Sequence, residues 1–144
     1  MCIRDSFREE NKKTKIFDEI RKKFLVLTPE EWVRQNFIKF LIEERNFPKG
    51  LIAIEKGLKL NGLHKRTDIL IYDKTGSPIM IVECKASKVA INQNVFDQIG
   101  RYNITFKVPY LVVTNGLQHY CAQIDFENKQ FSFLNEIPNY ETFA

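Results

Sequence analysis

Three charged residues stand where a buried strand would carry apolar ones. In TDILIYDKTGSPIMIVECKA, residues 67–86, two greasy runs flank a turn cluster of Asp73, Lys74, Thr75, Gly76 and Ser77, the pattern of a β-hairpin. The runs nevertheless carry Asp68, Glu83 and Lys85. Side chains alternate along a strand, so Glu83 and Lys85 share a face with Ile81, and Asp68 shares one with Leu70 and Tyr72. A two-residue loop at Thr75-Gly76, or a four-residue loop at 74–77, closes the hairpin in one and the same register and sets Asp68 opposite Glu83; a loop of odd length breaks it. Directly opposed side chains have Cβ atoms roughly 4.5–5.5 Å apart, and two carboxylates that close repel. Lys85 offers one compensating charge. A divalent cation offers two more, and hard carboxylate oxygens completed by water and phosphate suit Mg²⁺. The competing reading is a pair of carboxylates at an exposed edge, simply solvated.

Other polar residues fall where they could assist. Gln98 and Tyr102 are four apart on an expected helix and project from one face, where they can hydrogen-bond phosphate oxygens or bases. A half-buried tyrosine beside a surface glutamine would look the same. The segment KGLKLNGLHKRTD, residues 56–68, gathers Lys56, Lys59, His64, Lys65 and Arg66, and KKTKIFDEIRKKF at 12–24 is also basic. Both fit a solvated surface, and both permit a polyanionic partner. The net charge of +4, from 22 basic and 18 acidic residues, is too mild to demand one.

The remaining composition narrows the class. At 144 residues, 44 % hydrophobic and 12 % aromatic, the chain suits one soluble globular domain with a real core. No apolar run approaches the roughly 18 residues of a membrane span, and no secretory pattern is present, so the cytoplasm is the expected location. The opening MCIRDS resembles a translated sequencing adapter, which places the domain at 7–144 and suggests a lost natural start. Cys84 and Cys121 form no C-x-x-C pair and are expected as reduced thiols. His64 and His119 have no ligand spacing, which argues against zinc.

The elements that must position these residues follow from local signals. Thr28, Pro29 and Glu31 form a capping box with proline at the first helical position. Val33, Phe37, Phe40 and Leu41 recur at helical spacing, and the helix is expected to stop near Arg45–Phe47, before Pro48. Residues 51–60 alternate as a strand, NGLHK reads as a loop, and 7–24 read as a short strand or lead-in. Residues 89–103 read as a second helix with Val95, Phe96 and Ile99 inward, 109–116 as a buried strand, and HYCAQIDF and KQFSFL as a final hairpin. The order αβββαβ plus additions predicts an α/β fold, a mixed central sheet flanked by helices.

Taken together, D-x14-E-x-K on a hairpin followed by Q-x-x-x-Y on the next helix resembles the PD-(D/E)XK nuclease superfamily. Within it the chain resembles the N-terminal nuclease domain of type I restriction enzyme R subunits, in its small stand-alone bacterial form. LTPEEWVRQNFIKFLI, LKLNGLHKRTDILIYD, IVECKA, VFDQIGRYN and YLVVTNGLQHYC carry the likeness, from about Ile16 to Pro138. The resemblance implies a restriction-endonuclease-like core and Mg²⁺-dependent (or Mn²⁺-dependent) hydrolysis of DNA phosphodiesters. It implies Asp68, Glu83 and the main-chain carbonyl of Cys84 as metal ligands and Lys85 as the motif lysine. It places Gln98 and Tyr102 near the nucleic acid, and makes Glu31, with Arg34 and Gln35 following, the best match to a first-helix glutamate. Glu30 and Glu55 are weaker matches, and Glu31 is equally explained as a cap. Thr67 departs from the proline that often precedes the aspartate. Lys59, His64, Lys65, Arg66 and Arg101 complete the expected phosphate-facing set. DNA, and either a second copy of the chain or a motor-type restriction subunit, are the implied partners, with no small-molecule cofactor. The same fold without catalysis, as a nucleic-acid-binding or partner-dependent module, is the alternative.

Overall fold

The structure is a computed structural model that describes residues 7–10, 13–60 and 62–143; the adapter-like MCIRDS lies outside them. The first long element, α1 (Pro29–Arg45), begins where the Thr28 hydroxyl accepts a hydrogen bond from the Glu31 amide at 3.1 Å. It ends at Asn46, whose left-handed backbone (φ 60°) lets its N–H reach the Leu41 carbonyl, just ahead of Pro48. Only half of the capping box forms around Thr28, because the Glu31 side chain is taken up by arginines described below.

The chain before α1 is more than a lead-in. β1 (Phe7–Glu10), β2 (Lys13–Asp18) and β3 (Lys23–Val26) form a three-stranded antiparallel sheet. Ile16 and Asp18 are buried, and a turn at Lys22 (φ 58°) joins β2 to β3.

The expected strand at 51–60 is two strands in two sheets. β4 (Ile52–Ile54) lies at the edge of the main sheet, and β5 (Gly57–Leu60) pairs instead with β6 (Leu63–Arg66). The break is at Glu55, which has a left-handed backbone (φ 54°), so the chain leaves the sheet although its alternation continues. Part of the expected NGLHK loop is therefore β6.

β7 (Ile69–Tyr72), β8 (Pro78–Cys84), α2 (Gln93–Ile104), β9 (Tyr110–Thr114), β10 (His119–Asp125) and β11 (Gln130–Leu134) complete the fold. The main sheet runs β11-β10-β9-β8-β7-β4, with β8 and β9 parallel across α2 and every other pair antiparallel. The predicted αβββαβ order is thus present as α1-β4-β7-β8-α2-β9, with the β5–β6 hairpin inserted. The second helix starts later than expected, where the Asn92 side chain caps the Val95 amide at 3.0 Å.

The central strands are buried on both faces. Ile69, Ile71, Met80, Val82 and Val112 pack with Val33, Phe37, Ile38 and Leu41 of α1; Phe40 is only half-buried. Leu70, Ile81, Leu111 and Val113 pack with Phe96 on the α2 side. At about 1.5–3 kcal/mol for each such side chain, this burial fixes the strands that carry the charged residues. Gly100 lets α2 seat closely, since a Cβ there would run into the Phe131 ring. Among the described residues no helix is long and apolar enough to cross a membrane.

Candidate functional site

The register that opposes Asp68 to Glu83 is present, though reached by an unexpected route. Ile69 pairs with Val82, Leu70 with Ile81 and Ile71 with Met80, the ladder expected from an even loop. The turn itself is odd: the Asp73 amide donates to the Ser77 carbonyl at 2.9 Å, leaving 74–76 between them, with Gly76 at φ 87°. A bulge opposite Ile71 and Tyr72 leaves Ile79 unpaired and restores the register. The Asp73 carboxylate binds the Thr75 and Ser77 amides, and the Thr75 hydroxyl and these amides lower its pKa.

Asp68 lies just before β7. Its Oδ2 accepts the Cys84 amide at 2.7 Å, which ties the aspartate across to the end of β8. Its Oδ1 lies 3.5 Å from Nη2 of Arg34 on α1. Thr67, which stands where the motif resemblance leads one to expect a proline, is buried and donates both its amide (2.9 Å) and its hydroxyl (2.8 Å) to the Lys56 carbonyl. Proline has neither donor, so threonine here closes the base of the β5–β6 hairpin.

Glu83 is 9 % exposed and points to the α2 side of the sheet. Its Oε1 makes no well-directed hydrogen bond and is met by the Lys65 ammonium at 2.5 Å. Burial pushes the Glu83 carboxyl above its ordinary pKa; Lys65 opposes that shift, Asp68 adds to it, and Lys85 opposes it again. Lys85 is half-buried, and its amide donates to the Thr114 carbonyl at 2.8 Å, extending the parallel β8–β9 ladder past Cys84. The Cys84 side chain faces the α1 core, and burial drives its thiol far above its ordinary pKa; the Cys121 thiol is likewise pushed up to about 12. Both thiols are free and buried.

Glu31 belongs to a chain of ion pairs behind Asp68. Arg34, 8 % exposed at its side chain, sets Nη1 3.1 Å from Glu31 Oε2 and 3.5 Å from Glu55 Oε1. Arg21, after β2, binds Asp18 and Glu31 and reaches Glu55 at 3.3 Å. Burial opposes ionisation of Glu55, but Arg34, Arg21 and Arg66 outweigh it and lower its pKa. Sequence reasoning noted Arg34 only as a neighbour of Glu31 and missed Arg21 and Asp18. The spacing of Glu31 and Arg34, one helical turn apart, was the available signal. Glu30 stands exposed on the first turn.

The remaining expected residues lie on α2 and on the β5–β6 hairpin, which meet at Tyr102. The Tyr102 hydroxyl donates to the His64 carbonyl at 2.8 Å, and the Lys65 ammonium lies 5.3 Å from the Tyr102 ring centroid. Gln98 and Arg101 are exposed on the same helix, and Lys59, His64 and Arg66 are exposed on the β5–β6 hairpin. A depression of about 640 Å³ opens beside that hairpin, bordered by Glu55, Lys59, His64, Lys65 and Arg66. Lys65 alone of the basic set turns inward. His119 lies elsewhere, exposed at the start of β10 with its ring against those of Phe37 and Phe40, and partial desolvation lowers its pKa.

This arrangement can be compared with known proteins. The family model described as type I restriction enzyme R protein N terminus matches residues 29–138. The chain belongs to this family. The R-protein N-terminal match runs from the first residue of α1 beyond β11, so it takes in Asp68, Glu83, Lys85, Gln98 and Tyr102. A solved fragment described as an HsdR subunit of a type I restriction enzyme, from Vibrio vulnificus YJ016, is similar in fold. It has a TM-score of 0.55 at 19 % identity, over 80 % of this chain and 24 % of that one. The chain therefore spans about a quarter of that relative. A structure described as a nuclease of the DUF820 group, from Anabaena variabilis ATCC 29413, aligns at a TM-score of 0.49 and 8 % identity, over 90 % of this chain and 80 % of that one. Sequence comparison with curated proteins gives no match.

Among the described residues no three His, Cys, Asp or Glu side chains gather as a metal cluster. Asp68 and Glu83 nevertheless suit a hard divalent ion. Glu83 Oε1 is a buried anionic oxygen without a hydrogen bond, and Mg²⁺ characteristically takes one or two carboxylates and keeps waters for the rest of its shell.

Proposed function

We propose that the protein is a metal-dependent nuclease that hydrolyses DNA phosphodiester bonds. One observation carries the reading: two core strands bring Asp68, Glu83 and Lys85 together at one end of the sheet, with Glu83 held buried although burial raises its pKa. Natural chains keep such an unfavourable group chiefly where it has work to do. Membership of the R-protein N-terminal family supports the same reading.

Asp68, Glu83 and the Cys84 main-chain carbonyl would hold Mg²⁺ or Mn²⁺, which supplies Lewis-acid polarisation of the phosphate and a more acidic bound water. The chain's own residues do the rest. The Cys84 amide fixes the rotamer of Asp68, and Arg34 braces its other oxygen. Lys85 places a positive charge beside Glu83, where it stabilises the charge that grows on a phosphate during attack. Gln98, Arg101 and Tyr102, with Lys59, His64 and Arg66, line the approach and bind backbone phosphates without reading sequence. A motor-type restriction subunit or a second copy would supply target choice or second-strand cutting. A cytoplasmic site of action accords with this substrate.

A second reading has its own observation. Arg34 and Lys65 already neutralise Asp68 and Glu83, as expected of a binding module that cuts little unaided. Supercoiled plasmid separates the two. The nuclease reading expects nicking or linearisation with Mg²⁺ or Mn²⁺, none with EDTA, and loss by at least about 10²-fold in Glu83→Ala and Lys85→Ala. Binding with intact plasmid under every metal, in folded protein, would establish the module instead.

A further inference from the structure

We propose that Lys65 is a built-in stand-in for the divalent cation, an ammonium that occupies Glu83 until metal displaces it. This rests on the metal reading of Asp68 and Glu83 above. The geometry is specific. Lys65 is the only residue of the Lys59, His64, Lys65 and Arg66 set that is not exposed; its side chain is 12 % exposed and its ammonium sits 2.5 Å from Glu83 Oε1. That oxygen has no hydrogen bond of its own, so Lys65 is its only partner among the described residues. A buried carboxylate that stays ionised needs a compensating charge. Lys65 provides it in the metal-free state and a divalent ion provides it in the loaded state, but both cannot sit against one oxygen.

The way Lys65 is mounted fits an exchange. The β5–β6 hairpin stands outside the main sheet and is tied down by Leu58 against the α2-side core, Thr67 to the Lys56 carbonyl at its base, Arg66 to Glu55, and the Tyr102 hydroxyl to the His64 carbonyl. Tyr102 thereby holds the residue just before Lys65, and its ring lies beside the ammonium. A displaced Lys65 would emerge among Lys59, His64 and Arg66, on the face expected to meet phosphate. Metal loading and nucleic-acid binding would therefore favour one another: metal releases a cation toward the phosphates, and phosphate draws that cation from Glu83. Such mutual favouring is reciprocal by linkage.

Mn²⁺ binding, read by the loss of free-ion electron paramagnetic resonance signal at pH 8 without nucleic acid, tests this apart from cleavage. Lys65→Met is expected to bind Mn²⁺ about tenfold more tightly than the unaltered chain, and Lys65→Arg within about twofold of it. The gain is expected to vanish in Glu83→Gln. Tyr102→Phe, which loosens only the tether, is expected to give a smaller gain in the same direction. Measurable binding that Lys65→Met leaves unchanged or weakens would overturn the stand-in while leaving the metal reading intact. A gain that persists in Glu83→Gln would overturn it too. If no variant and no unaltered chain binds Mn²⁺ while circular dichroism shows them folded, the stand-in and the metal reading fall together.

Discussion

The two hairpins on either side of Asp68 are built to opposite rules. In β7–β8, Ile69, Leu70, Ile71, Met80, Ile81 and Val82 are all at most 1 % exposed, and the sheet continues on both sides. In β5–β6 most positions are exposed, Leu63 at 44 %, and among the described residues no third strand joins the pair. The first hairpin is fixed by apolar burial and sets the carboxylates in place. The second is held by Leu58 packed against the α2-side core and by a handful of polar contacts, and it sets Lys65 against Glu83. The two carboxylates thus differ in their counter-charges: Asp68 has Arg34 on the packed helix α1, and Glu83 has Lys65 on the outlying hairpin.

Ile71→Ala in β7 is expected to cost about 2–5 kcal/mol in denaturant unfolding, while Leu63→Ala in β6 stays within about 0.5 kcal/mol. Equal costs would erase the distinction.

Glu83→Gln sharpens it from the functional side. Because burial raises the Glu83 pKa, the folded chain binds that proton more readily than the unfolded chain. The contribution of Glu83 to stability is fullest below the ordinary carboxyl pKa and is lost as pH rises from there through the raised folded value. The variant escapes this loss, and the freed Lys65 can reach water along its flexible stem. Its melting temperature is expected to exceed that of the unaltered chain by a few degrees, roughly 1 kcal/mol, at pH 8, with the advantage shrinking toward pH 4. A loss of stability at pH 8 would mean that the Lys65–Glu83 pair is a net support of the fold.

Tyr102→Phe removes one hydrogen bond at a half-exposed ring and is expected to change global stability by no more than about 1 kcal/mol. Its signature is local: amides of β5 and β6 should exchange hydrogen faster, and those of β7 and β8 at the same rate. The smallest effect on the fold is expected from Lys59→Ala, which should leave unfolding unchanged. It should lower the slope of log affinity for DNA against log salt by about one unit, the mark of a single lost phosphate contact.

The same contrast explains what the sequence made legible. α1 could be bounded because Thr28, Pro29 and Pro48 act through local backbone chemistry, and β7 and β8 could be found because two apolar runs flank a turn cluster at 73–77. The β5–β6 hairpin was hidden because Glu55, an ordinary L-residue, takes a left-handed backbone while LIAIEKGLKL keeps alternating through it. The odd turn and the Ile79 bulge offset one another, so the register was right although the loop was not. Lys65 looked like surface because a basic run shows its charge and not its partner. Arg21 and Arg34 act across elements far apart in the chain, and spacing alone marks only pairs within one helix.

The most direct measurement is nuclear magnetic resonance of the folded chain titrated with Mn²⁺, whose unpaired electrons broaden nearby amide signals. The account predicts early, selective loss of the amides around Asp68 and of Glu83, Cys84 and Lys85, reversed by excess Mg²⁺, with His119 and β10 unaffected. Broadening centred elsewhere, or none at millimolar Mn²⁺, would contradict the claim that these two strand ends hold a catalytic metal.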